Sequence, residues 1–564
     1  MKQKGEREPR RVLREPEFCE HSSANPAVIG QRGRVQSDGA RIWRNYAQPH
    51  GARLGTVTSE LVHRLRSDLD SARFTVTTLT GLWGDEADAA LHRNERVPAL
   101  RALARRRAET GVEASATLAR LFILGLGVDR DDAAAALPTL GVAGATELGL
   151  VTADGAEVRP LLDLRPYSFV DAAGAGSWWI VSDLGELALG RPLGEEHVLG
   201  VGGASMTLSG LMMQTPVGSV LDLGTGCGIQ AMHAARHSVS VVATDISERA
   251  LALARINAEL NGINNIEFRH GDLFEPVRGE RFDQIVSNPP FVITPRSDGV
   301  PSYEYRDGGM EGDALVEAVI RGAAAHLHPG GVAQLLGNWE YRVGQDAFRR
   351  VGGWVDGTGL DAWVIERDVQ DPAQYAETWI RDGGTRSGTP EFERLYTAWL
   401  DDFAARRVTS VGFGYITLRM PLDGSPTLRR LERLHGALGS NETGLGVHLA
   451  AALAGHDWQA VRSDEELGLA QLIAAPDVTE ERHYWPGAEH PTALMLRQGG
   501  GFGRTVRMDT GLSALVGASD GDLSVAAVVA AIAQLLDADY LELREELLPR
   551  VRALVSDGFL LPPE

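Results

Sequence analysis

Residues 220–235 read VLDLGTGCGIQAMHAA, an apolar stretch that runs into alternating glycines and then into a segment with helical spacing. The branched apolar residues predict a buried strand that ends near Asp222. Gly224, Gly226 and Gly228 let the backbone turn sharply and approach a ligand without a clash from a Cβ atom. Taken alone, the stretch fits a dinucleotide site, and it fits a tight strand-to-helix turn equally well.

Three more predicted strands follow, and each ends at a polar residue: VSVVATD at Asp245, IEFRHGD at Asp272 and FDQIVSNPP at Asn288. The carboxyl ends of parallel strands meet at one edge of an open α/β sheet, where ligands bind. Asp245 can accept hydrogen bonds from two ribose hydroxyls. Asp272 can accept one from an adenine amino group, with Leu273 and Phe274 beside the ring. Alternatively, both aspartates only cap the helices that follow them.

Residues 288–291, Asn-Pro-Pro-Phe, predict a stiff extended segment, because Pro289 and Pro290 fit neither a helix nor a paired strand. The side-chain oxygen of Asn288 and the carbonyl of Pro289 can accept the two hydrogens of an amino or amide nitrogen. Phe291 is predicted to stack on the planar group that carries this nitrogen. Because the prolines hold the loop rigid, little entropy is lost on binding.

The motifs DLGTGCG, ATD, GDLF and NPPF, in this order, resemble those of class I S-adenosylmethionine-dependent methyltransferases over about residues 200–340. The resemblance implies a Rossmann-like α/β fold with a seven-stranded sheet, S-adenosyl-L-methionine as cofactor and no metal. It implies cofactor contacts from Asp222, Gly224, Thr225, Gly226, Gly228, Asp245, Ile246, Asp272, Leu273 and Asn288. It also implies catalytic roles for Asn288, Pro289, Pro290 and Phe291. The stretch 198–213 is expected to cover the cofactor or, alternatively, to be a packing segment.

Residues 288–295, NPPFVITP, and the YRDGGMEG that follows at 305–312 are similar to release-factor glutamine methyltransferases. Phe291 is more typical of ribosomal-RNA N-methyltransferases, and the whole chain resembles an uncharacterised actinobacterial methyltransferase family. The resemblance therefore implies methylation of a planar nitrogen of a macromolecule, either a release-factor-like protein or structured RNA. Two alternatives stay open: a non-catalytic binding module on this scaffold, and a small-molecule methyltransferase of secondary metabolism.

The rest of the chain divides into predicted regions around this core. Residues 1–55 are predicted to be a disordered tail or, alternatively, a basic RNA-binding arm. Residues 56–190 predict helices followed by a hairpin, the order of a winged helix. Residues 191–424 form the Rossmann-like domain, with a helical insertion at 370–407. Residues 425–564 predict a mixed domain that ends in a winged-helix-like unit.

Composition restricts the function classes further. The net charge of −21 over 564 residues argues against a general nucleic-acid coat, although a local basic groove stays possible. Cys19 and Cys227 alone cannot build a disulfide framework or a zinc site, and Cys227 is interpreted as a small spacer in the glycine loop. No apolar run predicts a membrane span or a signal core, so no membrane partner and a cytoplasmic location are expected.

Overall fold

The computed structural model describes residues 52–190, 193–297, 299–301, 303 and 305–563. Residues 1–51 of the predicted tail lie outside this range. The first helix begins at Ala52, so the last four residues assigned to the tail are helical.

The N-terminal part consists of helices packed on short antiparallel strands. Its helices are α1 (Ala52–Ser71), α2 (Val76–Trp83), α3 (Asp85–Leu91), α4 (Val97–Thr110), α5 (Ala114–Leu118, continued by a π-helical turn Ala119–Ile123), α6 (Arg130–Ala136), α7 (Gly141–Glu147) and α8 (Glu186–Leu189). Its strands are β1 (Val128–Asp129), β2 (Val151–Asp154), β3 (Glu157–Pro160), β4 (Leu162–Asp171) and β5 (Gly174–Asp183). Strand β3 pairs antiparallel with β1 on one side and β2 on the other.

The central part alternates strands and helices, as the sequence predicts. Its strands are β6 (Val217–Leu223), β7 (Ser238–Asp245), β8 (Ile266–His270), β9 (Phe282–Ser287), β10 (Leu327–Arg342), β11 (Asp361–Gln370), β12 (Val408–Arg419) and β13 (Arg429–Arg433). Its helices are α9 (Gly203–Leu211), α10 (Ile229–Ala234), α11 (Glu248–Leu260), α12 (Ala314–His326), α13 (Ala347–Val355), α14 (Pro372–Asp382) and α15 (Pro390–Ala405), with a 3-10 turn at Glu275–Val277. Helices α14 and α15 are the predicted insertion.

The central strands form one mixed sheet in the order β13-β11-β12-β10-β9-β6-β7-β8. Strands β6 to β10 run parallel to their neighbours among themselves, whereas β12 pairs antiparallel with both β10 and β11. The switch in strand order beside β6 places the ends of β6, β7, β8 and β9 at one edge, where open sheets bind ligands.

The prediction of seven strands is wrong by one, because β13 pairs parallel with β11 and extends the described sheet to eight strands. This strand reads RRLER and lies in the stretch that the sequence assigns to the C-terminal domain. Its charges find partners: Glu432 pairs with Arg430 at 3.0 Å and accepts a hydrogen bond from Trp363 Nε1 at 2.7 Å. Because the strand consists mostly of charged residues that are paired, it lacks the alternation of apolar and polar residues that predicts a strand.

The C-terminal part is a mixed unit beside the sheet edge. Its helices are α16 (Gly446–Ala460), α17 (Asp464–Leu469), α18 (Thr510–Gly517), α19 (Val525–Leu536) and α20 (Tyr540–Ser556). Its strands are β14 (Ile473–Ala474), β15 (Val478–His483), β16 (Ala493–Gln498), β17 (Thr505–Met508) and β18 (Leu560–Leu561). The final strand β18 pairs with β14, which precedes the helices α18 to α20. A winged-helix-like identity for this unit stays a prediction.

The flanking parts share their cores with the central sheet layers. One apolar cluster joins N-terminal residues such as Leu65 and Phe122 to Met232 of α10 and Leu253 of α11. Leu449 of α16 belongs to a second cluster that includes residues of the central sheet, while α18 to α20 pack in a cluster of their own. The two flanking parts therefore pack against different apolar clusters of the central part.

Candidate functional site

A cavity of about 350 Å³ lies at the carboxyl ends of β6, β7, β8 and β9. Small-molecule sites in proteins usually enclose about 300–1,000 Å³. The predicted site residues on its lining are Gly224, Thr225, Gly226, Asp245, Ile246, Asp272, Leu273, Asn288, Pro289 and Pro290. The predicted site residues that do not line it are Asp222, Gly228 and Phe291.

The glycine loop is tied to the end of the neighbouring strand β7. The backbone N–H groups of Gly224 and Thr225 both donate to the carbonyl of Thr244, at 3.0 and 2.9 Å. The N–H of Gly226 donates to Asp245 Oδ2 at 2.8 Å. Gly224 and Gly226 have φ values of 76° and 56°, in the left-handed region where a side chain would be strained. The loop is thus held by hydrogen bonds before any ligand binds.

Asp245 presents a carboxylate that is only partly used by the protein. Its Oδ1 accepts from the N–H of Ser247 at 2.8 Å, and its Oδ2 accepts from Gly226. Burial raises the pKa of this carboxyl above its usual value. A carboxylate offers about four lone-pair sites, so two stay available for donors that enter the cavity.

Asp222 is fully buried and does not line the cavity, and its contact with the cofactor stays a prediction. Its Oδ2 accepts from Thr225 Oγ1 at 2.5 Å and from the N–H of Ala231 at 2.9 Å. These hydrogen bonds hold the glycine loop against the start of α10. Its Oδ1 has no hydrogen-bond partner among the described residues. Burial raises the pKa of Asp222 to about 7.

Gly228 does not line the cavity and instead allows close packing of the glycine loop against α11. A Cβ atom at Gly228 would stand 3.0 Å from the Cβ of Ala254 on α11, and its φ of 89° also disfavours a side chain. The neighbouring Cys227 is buried, and its carbonyl accepts from Asn257 Nδ2 at 2.8 Å. Burial raises the pKa of the Cys227 thiol to about 11, so the thiol stays protonated, as expected of a spacer.

The loop after β8 supplies one side of the cavity. Asp272 is exposed, and Leu273 lines the cavity with a φ of 42°, unusual for a residue with a side chain. Phe274 is not where the sequence predicted it. Its ring stacks on His326 with the ring centres 4.7 Å apart, against Gly322 of α12.

Asn288 and Pro289 carry acceptors without donors. Asn288 Oδ1 is buried and has no hydrogen-bond partner among the described residues, and no donor from the same residues reaches the Pro289 carbonyl. The next carbonyl, that of Pro290, accepts from the N–H of Gly308 at 3.1 Å. Buried polar groups are nearly always paired, and the described part of the chain supplies no donor to these two acceptors.

Phe291 faces away from the cavity, so its predicted stacking surface is not on the lining. Its side chain is 8% exposed and packs edge-on against Phe413 and Trp379, with ring centres 5.0 and 6.3 Å away. Both partners are more than 80 residues distant in sequence. An aromatic ring does line this side of the cavity, that of Tyr305.

Sequence reasoning missed several cavity residues, among them His197, Tyr305 and Asp307. The rings of His197 and Tyr305 meet edge-on with centres 5.6 Å apart. Asp307 is buried and forms a two-pronged ion pair with Arg296, one bond of which measures 3.0 Å. Tyr305 and Asp307 lie in the stretch 305–312 that carried the resemblance, whereas His197 carried no sequence signal. The predicted covering stretch 198–213 contributes Val198, Leu199, Gly200 and Ser205 to the lining.

The described residues contain no group of three or more His, Cys, Asp or Glu side chains able to hold a metal ion. Within the same residues, no helix combines the length and apolar character needed to cross a bilayer.

Two family models match separate stretches of the chain. Residues 201–345 match the methyltransferase small domain, the segment that holds the cavity. Residues 71–161 match a domain of unknown function (DUF7059), which covers most of the N-terminal helices and the β2–β3 hairpin.

Curated relatives match the same central segment. The release factor glutamine methyltransferase of Xylella fastidiosa is 42% identical over 130 residues, 22% of this chain and 47% of that protein. The ribosomal protein uL3 glutamine methyltransferase of Bradyrhizobium diazoefficiens is 38% identical over 127 residues, 21% of this chain and 40% of that protein. A putative protein N5-glutamine methyltransferase of Methanocaldococcus jannaschii is 38% identical over 120 residues, 21% of this chain and 60% of that protein.

The chain thus spans roughly half the length of the curated relatives it matches. Together with the sheet order and the cavity, the matches confirm the prediction that the central segment is a methyltransferase domain of Rossmann-like fold.

Proposed function

We propose that this protein is an S-adenosylmethionine-dependent N-methyltransferase that methylates the side-chain amide of a glutamine in a protein. One observation carries the proposal: Asn288 Oδ1 and the Pro289 carbonyl are acceptors without donors, on residues that line the cavity. A primary amide has two N–H hydrogens on a planar nitrogen, and these match the two acceptors.

The cavity lining fits the cofactor. When bound, S-adenosylmethionine supplies a methyl group from its sulfonium. Asp245 has two free lone-pair sites for the ribose hydroxyls, and Asp272 is exposed beside Leu273 for the adenine amino group. The loop residues Gly224 to Gly226 allow close approach of a ligand to the backbone.

The chain contributes positioning instead of a strong base. An amide nitrogen is a weak nucleophile because its lone pair is delocalised. Asn288 and Pro289, by accepting its two hydrogens, favour a pyramidal nitrogen whose lone pair faces the methyl group. The proton that the nitrogen loses passes to water. Tyr305, the aromatic ring on the lining, replaces Phe291 as the proposed neighbour of the planar amide.

Charge and relatives favour a protein substrate over RNA. The relatives above carry names that refer to release factors, a ribosomal protein and protein N5-glutamine. The net charge of −21 repels a polyanion and attracts a basic protein surface. We therefore expect the protein to act in the cytoplasm, where release factors and ribosomal proteins function.

The N-terminal module supports the same choice. We propose that residues 114–160 form a winged helix, because a helix, a short strand, two helices and a hairpin follow in that order with β1 paired to β3. The second of the two helices, α7, reads GVAGATE and contains no Lys or Arg. A helix that enters a DNA or RNA groove normally brings basic residues, so we propose that this module binds protein.

The experiment is transfer of labelled methyl groups to fractions of a strain that lacks the protein. Purified full-length protein and labelled S-adenosylmethionine are added to separated protein, RNA and small-molecule fractions. We expect label in one or a few proteins, as N5-methylglutamine by mass spectrometry. Label confined to RNA or small molecules would refute the glutamine substrate, and no label in any fraction would favour a non-catalytic binding module.

A further inference from the structure

The helical insertion braces the cavity from behind. Its first helix, α14, begins with Pro372 after the cap Asp371, whose side chain accepts from two N–H groups of the first turn, a strong start signal. The cavity wall opposite the glycine loop has two segments, Asn288–Pro290 and Tyr305–Gly309. Ile293, three residues after the first segment, donates to α14 at a buried hydrogen bond, and Arg306 of the second segment donates to α14 at a half-buried one.

The attachments follow one face of α14. Tyr375 accepts the N–H of Ile293 on its hydroxyl at 3.0 Å. One turn later, the carbonyl of Trp379 accepts from Arg306 at 2.6 Å, and Asp382 accepts from the same guanidinium at 3.0 Å. Residues at i, i+4 and i+7 share a helix face, so a single helix holds both wall segments.

The attachment at Ile293 is important because prolines lack an N–H group. Pro289 and Pro290 donate no backbone hydrogen bond, although the Pro290 carbonyl accepts from the N–H of Gly308. Two donors follow the prolines: Val292 N–H donates to the Arg306 carbonyl at 2.9 Å, and Ile293 N–H donates to Tyr375. The contacts with Gly308 and Arg306 join the two wall segments to each other, whereas the contact with Tyr375 ties Ile293 to the insertion.

Tyr375 is built into the core for this contact. Its side chain is 3% exposed, with the rings of Trp399 and Phe403 6.0 and 5.8 Å from its own. Its hydroxyl also lies 2.7 Å from Asn338 Nδ2, while Asn338 Oδ1 has no partner among the described side chains. Exchanging the two amide atoms of Asn338 lets the hydroxyl donate to Asn338 Oδ1 while it accepts from Ile293. Burial raises the pKa of Tyr375, so the hydroxyl stays protonated.

We propose that Tyr375 is a positioning residue for methyl transfer, whose hydroxyl sets the position of the Asn-Pro-Pro-Phe segment through the N–H of Ile293. The expected effect on the methyl-transfer rate rests on the proposed function. The expected effect on the position of the segment does not. Tyr375 does not touch the cavity and acts through the segment it holds.

Hydrogen exchange in the full-length protein tests the structural part. Tyr375→Phe removes only the hydroxyl, and Tyr341→Phe is the matched control, since Tyr341 also donates from a half-buried hydroxyl, at 2.7 Å to Glu366, away from the cavity. We expect amide exchange in peptides covering 291–297 to be about tenfold faster in Tyr375→Phe only, because a buried N–H loses its acceptor. Unchanged exchange there, or an equal increase in Tyr341→Phe, would overturn the proposal.

Kinetics test the functional part. With a methylated protein target in hand, Tyr375→Phe should lower kcat about tenfold and leave the Kd for S-adenosylmethionine unchanged, whereas Tyr341→Phe should keep the wild-type kcat. A fall in cofactor affinity with normal kcat would overturn the positioning role. If the wild-type protein methylates nothing, the proposed function is wrong. The hydrogen-exchange result still shows whether the Tyr375 hydroxyl holds the N–H of Ile293. If Tyr375→Phe does not fold, Asn338→Ala removes the second partner of the hydroxyl and leaves it less firmly held, so a smaller local increase in exchange is expected, and unchanged exchange would overturn the proposal.

Discussion

The carboxylate of Asp245 accepts a hydrogen bond from the backbone N–H of Gly226 at 2.8 Å, across the gap between the first two strand ends of the site. Asp245 therefore has two tasks: it holds the glycine loop in place, and it offers its remaining lone pairs to the cavity. A ligand that bonds to Asp245 strengthens a contact that already exists, so little reorganisation accompanies binding.

Asp245→Ala should weaken S-adenosylmethionine binding at least 100-fold, or about 2.7 kcal/mol, because charge-assisted hydrogen bonds contribute about 1.5–3 kcal/mol each. Titration calorimetry measures this. Asp272→Ala is the comparison variant, with a smaller loss of about tenfold expected from one exposed hydrogen bond. Undiminished affinity in Asp245→Ala would remove Asp245 from the site.

Asp222 should contribute a loss of stability to the cofactor-free protein as the pH rises from about 4 to about 7. The pKa of Asp222 is raised from 3.8 to about 7 by burial, so in this window the folded state keeps a proton that the unfolded state releases. The full shift corresponds to roughly 4 kcal/mol. Asp222→Asn should gain free energy of unfolding relative to wild type between pH 5 and pH 8 in urea titrations. An equal difference at both pH values would contradict the shift.

Phe291→Ala should destabilise the fold by about 3–5 kcal/mol, the usual result of emptying a buried aromatic site. The reason is the contact of its ring with Phe413 and Trp379. Denaturant unfolding measures the loss, and Phe291→Leu, which fills much of the space, serves as the control. Full stability together with lost methyl transfer would instead support the stacking role first predicted for this residue.

The strand ends could be predicted because local signals mark them. Branched apolar runs that stop at Asp245 or Asn288 predict buried strands, and the glycines after Asp222 predict the loop. Side-chain direction carried no such signal. Phe291 turns away from the cavity because Trp379 and Phe413 reach it from distant parts of the chain.

The same limit applies to the missed residues. His197 and Tyr305 meet at the cavity across more than 100 residues of sequence, and no local pattern predicts that contact, although Tyr305 lies in the stretch 305–312. Strand β13 was not predicted because Glu432 pairs with Arg504 and accepts a hydrogen bond from Trp363, two partners that only the folded chain brings near. Long-range contacts of this kind are set by tertiary packing and leave no local pattern.

The proposed role of Asn288 is tested most directly by the methyl-transfer rate of Asn288→Ala, measured beside its affinity for S-adenosylmethionine. In the proposed role, Asn288 Oδ1 accepts a hydrogen bond from the target nitrogen, so its loss should lower the rate about 100-fold, or about 2.7 kcal/mol, and leave the cofactor Kd close to wild type. Asn288→Asp, which keeps an acceptor, should retain part of the rate. A wild-type rate in Asn288→Ala, or a defect confined to cofactor affinity, would contradict the account.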